Sequence, residues 1–136
     1  MARREGHCLC GEVRFAAEIA SEDMGACHCG QCRRWGGGPL VEVQASALEV
    51  VAGGPATFRS SEWAERLFCP TCGTHVAWQM QDRSFIAVNA GAFDPPLSGA
   101  LTLEVFIDRK PEGYAFAGDH KRMTEAEVMA AFTGKE

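Results

Sequence analysis

The stretch CHCGQCRRWGGG, Cys27 to Gly38, sets three cysteines within six residues and supplies no fourth. Two further clusters lie on either side of it, Cys8-x-Cys10 in GHCLCGEV and Cys69-x-x-Cys72 in FCPTCGT, so that seven sulfurs fall into three groups. Zinc favours tetrahedral thiolate coordination at about 2.3 Å; closed structural sites fill all four positions with protein ligands, and catalytic sites keep three and leave one open. The simplest division joins Cys8 and Cys10 to Cys69 and Cys72 around a structural zinc. Cys27, Cys29 and Cys32 then define a second zinc site with three protein ligands, giving two zinc ions per chain. A competing division pairs Cys69 and Cys72 with two members of the triplet and leaves the remaining thiols buried or free, since unliganded cysteine is a small apolar residue.

Outward from these clusters the pattern is one of short strands. EVRFAAEI, PLVEVQA, LEVVA, ATFRS, ERLFC, HVAWQM, SFIAVNA and LTLEVFID alternate or form short apolar runs, separated mostly by Gly, Pro, Ser or Asp. On extended strands, Cys8 and Cys10 would present both sulfurs on one side, as would Cys27 and Cys29, with His28 turned to the opposite face. Pro70 and Gly73 predict a tight turn that aims Cys69 and Cys72 at one point. His75 stands three residues beyond Cys72 at a feasible ligand spacing, whereas His7 and His120 have no local support as ligands. One helix is predicted, near the C-terminus, where Thr124-Glu125-Ala126-Glu127 forms a capping box before VMAAF. GAFDPPLSGA, Gly91 to Ala100, reads as a loop, and the final TGKE is expected to fray. The fold class is therefore mainly β, with zinc-stabilised sheets and one short C-terminal helix.

The 136 residues suit a single zinc-binding domain, 1–136, and the apolar share of 46% is that of a globular chain. A formal charge of −5 argues against nucleic acid or anionic lipid as a partner. The N-terminal MARREGHCLCGEV has no apolar signal core and no apolar run is long enough to cross a bilayer, so no membrane partner and a cytoplasmic location are expected. In a reducing compartment, an odd number of cysteines at such short spacings points to metal ligands rather than disulfides.

GHCLCGEVRF, CHCGQCRR and FCPTCGT occur in the order and approximate spacing of the glutathione-dependent formaldehyde-activating enzyme family, which includes centromere protein V-like domains. The chain resembles that family from about Gly6 to at least Ile107. The resemblance implies a β-tent fold, a structural zinc on Cys8, Cys10, Cys69 and Cys72, and a second zinc on Cys27, Cys29 and Cys32. It also implies a reaction that joins formaldehyde to glutathione, giving S-hydroxymethylglutathione, formally a carbon–sulfur lyase run in reverse. The chain departs from the family pattern at Glu104 and Tyr114, where members often carry His and Trp.

A zinc held by three thiolates is a weak Lewis acid, better suited to presenting another thiolate than to making hydroxide. A small thiol such as glutathione is thus the expected partner at the open position, with a small electrophile as the second. Arg33 and Arg34 follow Cys32 directly and are candidates for pairing with the carboxylates of glutathione; Trp35, before three glycines, is a candidate aromatic wall. The expected function is that of a zinc-dependent carbon–sulfur lyase-like enzyme, S-hydroxymethylglutathione synthase-like, acting on a small-thiol adduct of an aldehyde or related electrophile. Cys27, Cys29 and Cys32 would carry catalysis through the open zinc site. The alternatives are a non-catalytic zinc-stabilised binding module and a redox or metal-buffering role for the triplet.

Overall fold

A computed structural model describes residues Met1–Thr133. Eleven strands and two α-helices follow in chain order among the described residues. The strands are β1 (Ala2–His7), β2 (Arg14–Ile19), β3 (Met24–Cys27), β4 (Leu40–Ala45), β5 (Ala47–Ala52), β6 (Ala56–Phe58), β7 (Ala64–Phe68), β8 (His75–Met80), β9 (Ile86–Asn89), β10 (Leu101–Val105) and β11 (Lys121–Met123). The helices are α1 (Gly30–Gly36) and α2 (Glu125–Thr133). Contacts divide the chain into two compact units, residues 1–22 with 42–99 and residues 23–41 with 100–136.

In the first unit, β1, β2 and β5 form an antiparallel sheet in the order β1-β2-β5. A second antiparallel run follows the order β4-β9-β8-β7-β6, with Glu42–Ala45 of β4 paired to β9. Val13, Phe15, Ile19, Val43, Val76, Ile86 and Val88 are buried, and the Phe15 and Phe93 rings meet edge to face at 5.4 Å. Gly6 is required where β1 passes this pair: a methyl group there would lie 2.4 Å from the Ala92 carbonyl oxygen and 2.5 Å from the Phe15 ring. Burying side chains of this size stabilises the unit by about 1.5–3 kcal/mol each.

In the second unit, β10 lies between β3 and β11 and runs parallel to both. The capping box at α2 is formed in full: the Thr124 backbone N–H donates to Glu127 Oε1 at 2.8 Å, and the Glu127 N–H donates to Thr124 Oγ1 at 3.3 Å. The expected fraying of TGKE falls, from Gly134 onward, outside the described residues. The triplet differs from the expectation that Cys27 and Cys29 share an extended strand. Only Cys27 is on a strand; Cys29 is the N-cap of α1, and Cys32 lies inside that helix. The helix forms because the Cys29 sulfur accepts the Cys32 backbone N–H at 3.4 Å, as a Ser or Asp oxygen would at an N-cap. It ends where Gly37 adopts φ +85° and donates its N–H to the Arg33 carbonyl.

Candidate metal centres

Cys8 and Cys10 sit in the turn between β1 and β2 rather than on an extended strand. The Cys8 N–H donates to the Val13 carbonyl at 3.0 Å, the Gly11 N–H donates to the Cys8 carbonyl at 3.1 Å, and Gly11 takes φ +82°. Cys69 and Cys72 occupy a turn built in the same way: the Cys69 N–H donates to the Thr74 carbonyl, the Gly73 N–H donates to the Cys69 carbonyl, and Gly73 takes φ +81°. In each turn the first cysteine's sulfur accepts a backbone N–H, from Val13 at 3.3 Å for Cys8 and from Cys72 at 3.5 Å for Cys69. At Cys8, burial raises the thiol pKa, but this bond and those from neighbouring sulfurs outweigh it and leave the group below its ordinary value. The two turns are fastened by the Leu9 N–H donating to Thr74 Oγ1 and the Thr71 hydroxyl donating to Glu12.

The result is a group of four sulfurs, Cys8, Cys10, Cys69 and Cys72, all within 4.8 Å of one another. Cys8 and Cys10 are 3.6 Å apart and Cys10 and Cys69 are 3.8 Å apart. Four sulfurs placed tetrahedrally about 2.3 Å from a zinc ion would be separated by about 3.8 Å, so the spacing fits that metal. The thiols themselves share charge unevenly. Hydrogen bonds from the Thr74 hydroxyl and then from backbone groups bring Cys72 down to about 5. The Glu12 backbone lowers Cys10, but desolvation and its three sulfur neighbours together carry it up to about 12. A cation among the four sulfurs would offset the repulsion of thiolates this close.

Cys27, Cys29 and Cys32 form the second group, again within 4.8 Å of one another. β3 delivers Cys27, and one turn of α1 brings Cys32 back beside Cys29. Hydrogen bonds from Cys27 and Cys32 hold the Cys29 thiol far below its ordinary value, while Cys29 and Cys32, together with burial, hold Cys27 far above it. Three thiolates this close would repel one another, and a cation among them would offset that repulsion. Both groups could hold a metal ion, and each draws all its members from one unit.

Among the described residues no histidine or carboxylate belongs to either group. His28 does turn away from its flanking cysteines: it is 0% exposed, and its Nε2 lies 2.7 Å from Glu104 Oε1. The other Glu104 oxygen lies 2.5 Å from His120 Nε2 and accepts the Arg122 Nε–H at 3.1 Å. Burial raises the Glu104 carboxyl, but hydrogen bonds from His120 and His28 and the charges of His28 and Arg122 outweigh it and leave the group below its ordinary value. The Tyr114 oxygen stands 3.4 Å from His28 Nδ1. Glu104 and Tyr114 are thus parts of the support behind the triplet. Sequence reading missed this buried constellation because its contacts join residues up to 86 apart, between Tyr114 and His28, and carry no local motif.

His75 is buried in β8, where desolvation and then the Arg66 charge lower its pKa to about 4, so it stays neutral. His7 is 2.8 Å from the Cys8 carbonyl oxygen through Nδ1 and pairs with Asp94 through Nε2. Trp35 lies half-buried in the last turn of α1. No helix among the described residues is long and apolar enough to cross a membrane.

The family model described as glutathione-dependent formaldehyde-activating enzyme matches residues 3–109. An uncharacterized lyase of Schizosaccharomyces pombe is 31% identical over 132 residues, which cover 95% of this chain and 96% of that protein. A crystal structure of a Rhodobacter sphaeroides protein is similar with a TM-score of 0.59 and 26% identity, covering 72% of this chain and 99% of that one.

Proposed function

We propose a function from the premise that the chain belongs to the glutathione-dependent formaldehyde-activating enzyme family: it is a zinc-dependent carbon–sulfur lyase-like enzyme acting on the adduct of a small thiol, glutathione in the leading version, with an aldehyde or related electrophile. Cys8, Cys10, Cys69 and Cys72 hold a structural zinc, and Cys27, Cys29 and Cys32 hold a second. The observation that carries the reading is the triplet itself: three sulfurs within 4.8 Å and, among the described residues, no fourth protein ligand in the group.

When bound there, zinc supplies a positive centre that lowers the pKa of a substrate sulfur at its fourth position. The chain's own residues fix that position. β3 holds Cys27, the Cys32 N–H fixes the Cys29 sulfur, and the Arg33 Nε–H, donating to the His28 carbonyl at 3.2 Å, ties α1 to the cysteine loop. From behind, the Glu104–His28 contact keeps His28 out of the ligand set. In the synthetic direction a carbon–sulfur bond forms between thiol and formaldehyde, and the thiol proton ends on the new hydroxyl; the lyase direction reverses both changes. A single domain over 1–136 and a cytoplasmic setting, where thiols stay reduced, belong to the same proposal.

The test is exchange spectroscopy by NMR on an equilibrium mixture of glutathione, formaldehyde and S-hydroxymethylglutathione. The zinc-loaded protein is expected to raise the exchange rate in proportion to its concentration. A rate unchanged from the buffer control would leave the non-catalytic binding module as the function.

A further inference from the structure

Four strands stand at sheet edges among the described residues: β1, β5, β6 and β11. Sheets avoid joining one another through edges that are short, charged or covered. β6 and β11 are three residues long. β1 carries Arg3, Arg4 and Glu5, and the chain at Phe93 and Asp94 covers it: the Asp94 N–H donates to the Glu5 carbonyl at 3.0 Å, and Gly6 bridges Phe93. β5 has none of these devices. It is six residues long, ALEVVA, and its one charge, Glu49, is held by Arg3 at 2.9 Å. Val50 and Val51 are 40% and 46% exposed. The strand is also fixed at its end. Gly53 takes φ +80°, and a methyl group there would lie 2.2 Å from the Glu12 carbonyl oxygen, so only glycine lets the chain leaving β5 pass against that turn.

The register of β5 points to its occupant. Phe15 of β2 pairs with Val50 and Arg14 with Ala52, which leaves Val51 as the extra residue of a bulge. Arg14 and Ala16 alternate with Phe15 and share a face of β2, so their partners Ala52 and Glu49 share that face too. An antiparallel copy of β5 can then lie along the strand with its Ala52 opposite Glu49, and two-fold symmetry repeats the pairing with the roles exchanged. Val50 falls opposite Val51 of the second copy. Glu49 falls in the row of Arg14 of the second copy, about 10 Å away by backbone, with only an alanine methyl between the two side chains. A register centred on Glu49 would instead set two carboxylates opposite each other.

We propose that β5 is the docking edge for a second copy of this chain, joined to it as an antiparallel β5–β5 pair about a two-fold axis. The valines supply the apolar centre, and Glu49 and Arg14 supply complementary charge on either side of it. A contact carried by one pair of six-residue strands falls below the roughly 1,200 Å² at which stable interfaces begin, so the dimer depends on concentration.

The test is sedimentation velocity of the zinc-loaded chain under reducing conditions, from about 5 to 500 μM, the range that brackets so small an interface. The average mass is expected to rise from that of one chain, 14.7 kDa, to that of two and no further. Val50→Lys is expected to remain a monomer throughout. Arg14→Glu is expected to weaken the dimer about tenfold, with part of the loss regained when Glu49→Arg is added. Phe58→Lys, on the β6 edge, is expected to change nothing. A second measurement needs no variant: amide exchange in Ala47–Ala52 of the parent chain slows as concentration rises, while exchange in Ala56–Phe58 does not. A monomer at the highest concentration, growth beyond two copies, or β5 exchange that ignores concentration overturns the proposal. So does a dimer kept in Val50→Lys and lost in Phe58→Lys, which assigns the contact to β6.

Discussion

Cys72→Ser is expected to yield a protein with one zinc at most and a melting temperature lowered by about 20 °C or more. Cys72 closes a group whose other members come from two turns, and those turns lie 59 residues apart in sequence between Cys10 and Cys69. In the proposed account, four thiolates around zinc do the fastening. Structural zinc contributes roughly 10–16 kcal/mol in small zinc-bound peptides, against total domain stabilities of about 5–15 kcal/mol. Without the metal, the hydrogen bonds from Leu9 to Thr74 and from Thr71 to Glu12 must hold the turns alone, and both are exposed. Each such bond contributes only about 0.5–1.5 kcal/mol net. A thermal melt with metal analysis of the same sample checks this. A variant that melts with the parent protein would show that the four-sulfur group is not what holds these turns.

Cys29→Ser is expected to behave oppositely: a folded protein, a melting temperature within about 5 °C of the parent, one zinc instead of two, and catalysed exchange lower by about 100-fold or more. The serine hydroxyl can accept the Cys32 N–H that the Cys29 sulfur accepts now, so the start of α1 is preserved. The buried contacts of Glu104 with His28, His120 and Arg122 do not involve Cys29 and remain to hold β10, β11 and the cysteine loop. What goes is one of three thiolates at an open site, and with it the metal. If Cys29→Ser unfolds the protein while Cys72→Ser does not, the roles of the two groups are interchanged.

How much of this was legible in the sequence depended on whether the signal was local. β8 could be read from HVAWQM and α2 from the Thr124 and Glu127 pair, because alternation and a capping box are carried by neighbouring residues. The Cys69–Cys72 turn was legible for the same reason, through Gly73 and its positive φ. β1, with the sequence ARREGH, was not: it is a polar edge strand defined by its pairing with β2 rather than by its own pattern. β11, three residues reading KRM, is held by parallel pairing to β10 and by Arg122 on Glu104. The helix α1 escaped notice because a cysteine caps it, outside the usual set of Ser, Thr, Asp and Asn. The grouping of sulfurs could be argued from spacing alone, but Cys8 and Cys10 reach it from a turn, not from the expected strand.

In the proposed mechanism a substrate thiol fills the fourth position beside Cys27, Cys29 and Cys32. The most direct measurement of this is the absorption spectrum of cobalt-substituted protein titrated with glutathione and, in parallel, with S-methylglutathione, corrected for any cobalt stripped by free thiol. Because the thiol must ionise to coordinate, glutathione affinity is expected to rise with pH below its own thiol pKa while the cysteine ligands stay bound. The predicted result is a change in the thiolate-to-cobalt charge-transfer band with glutathione and none with the S-methyl analogue, with Cys29→Ser giving no response to either. A spectrum unchanged at saturating glutathione, with the two compounds binding equally, would contradict it.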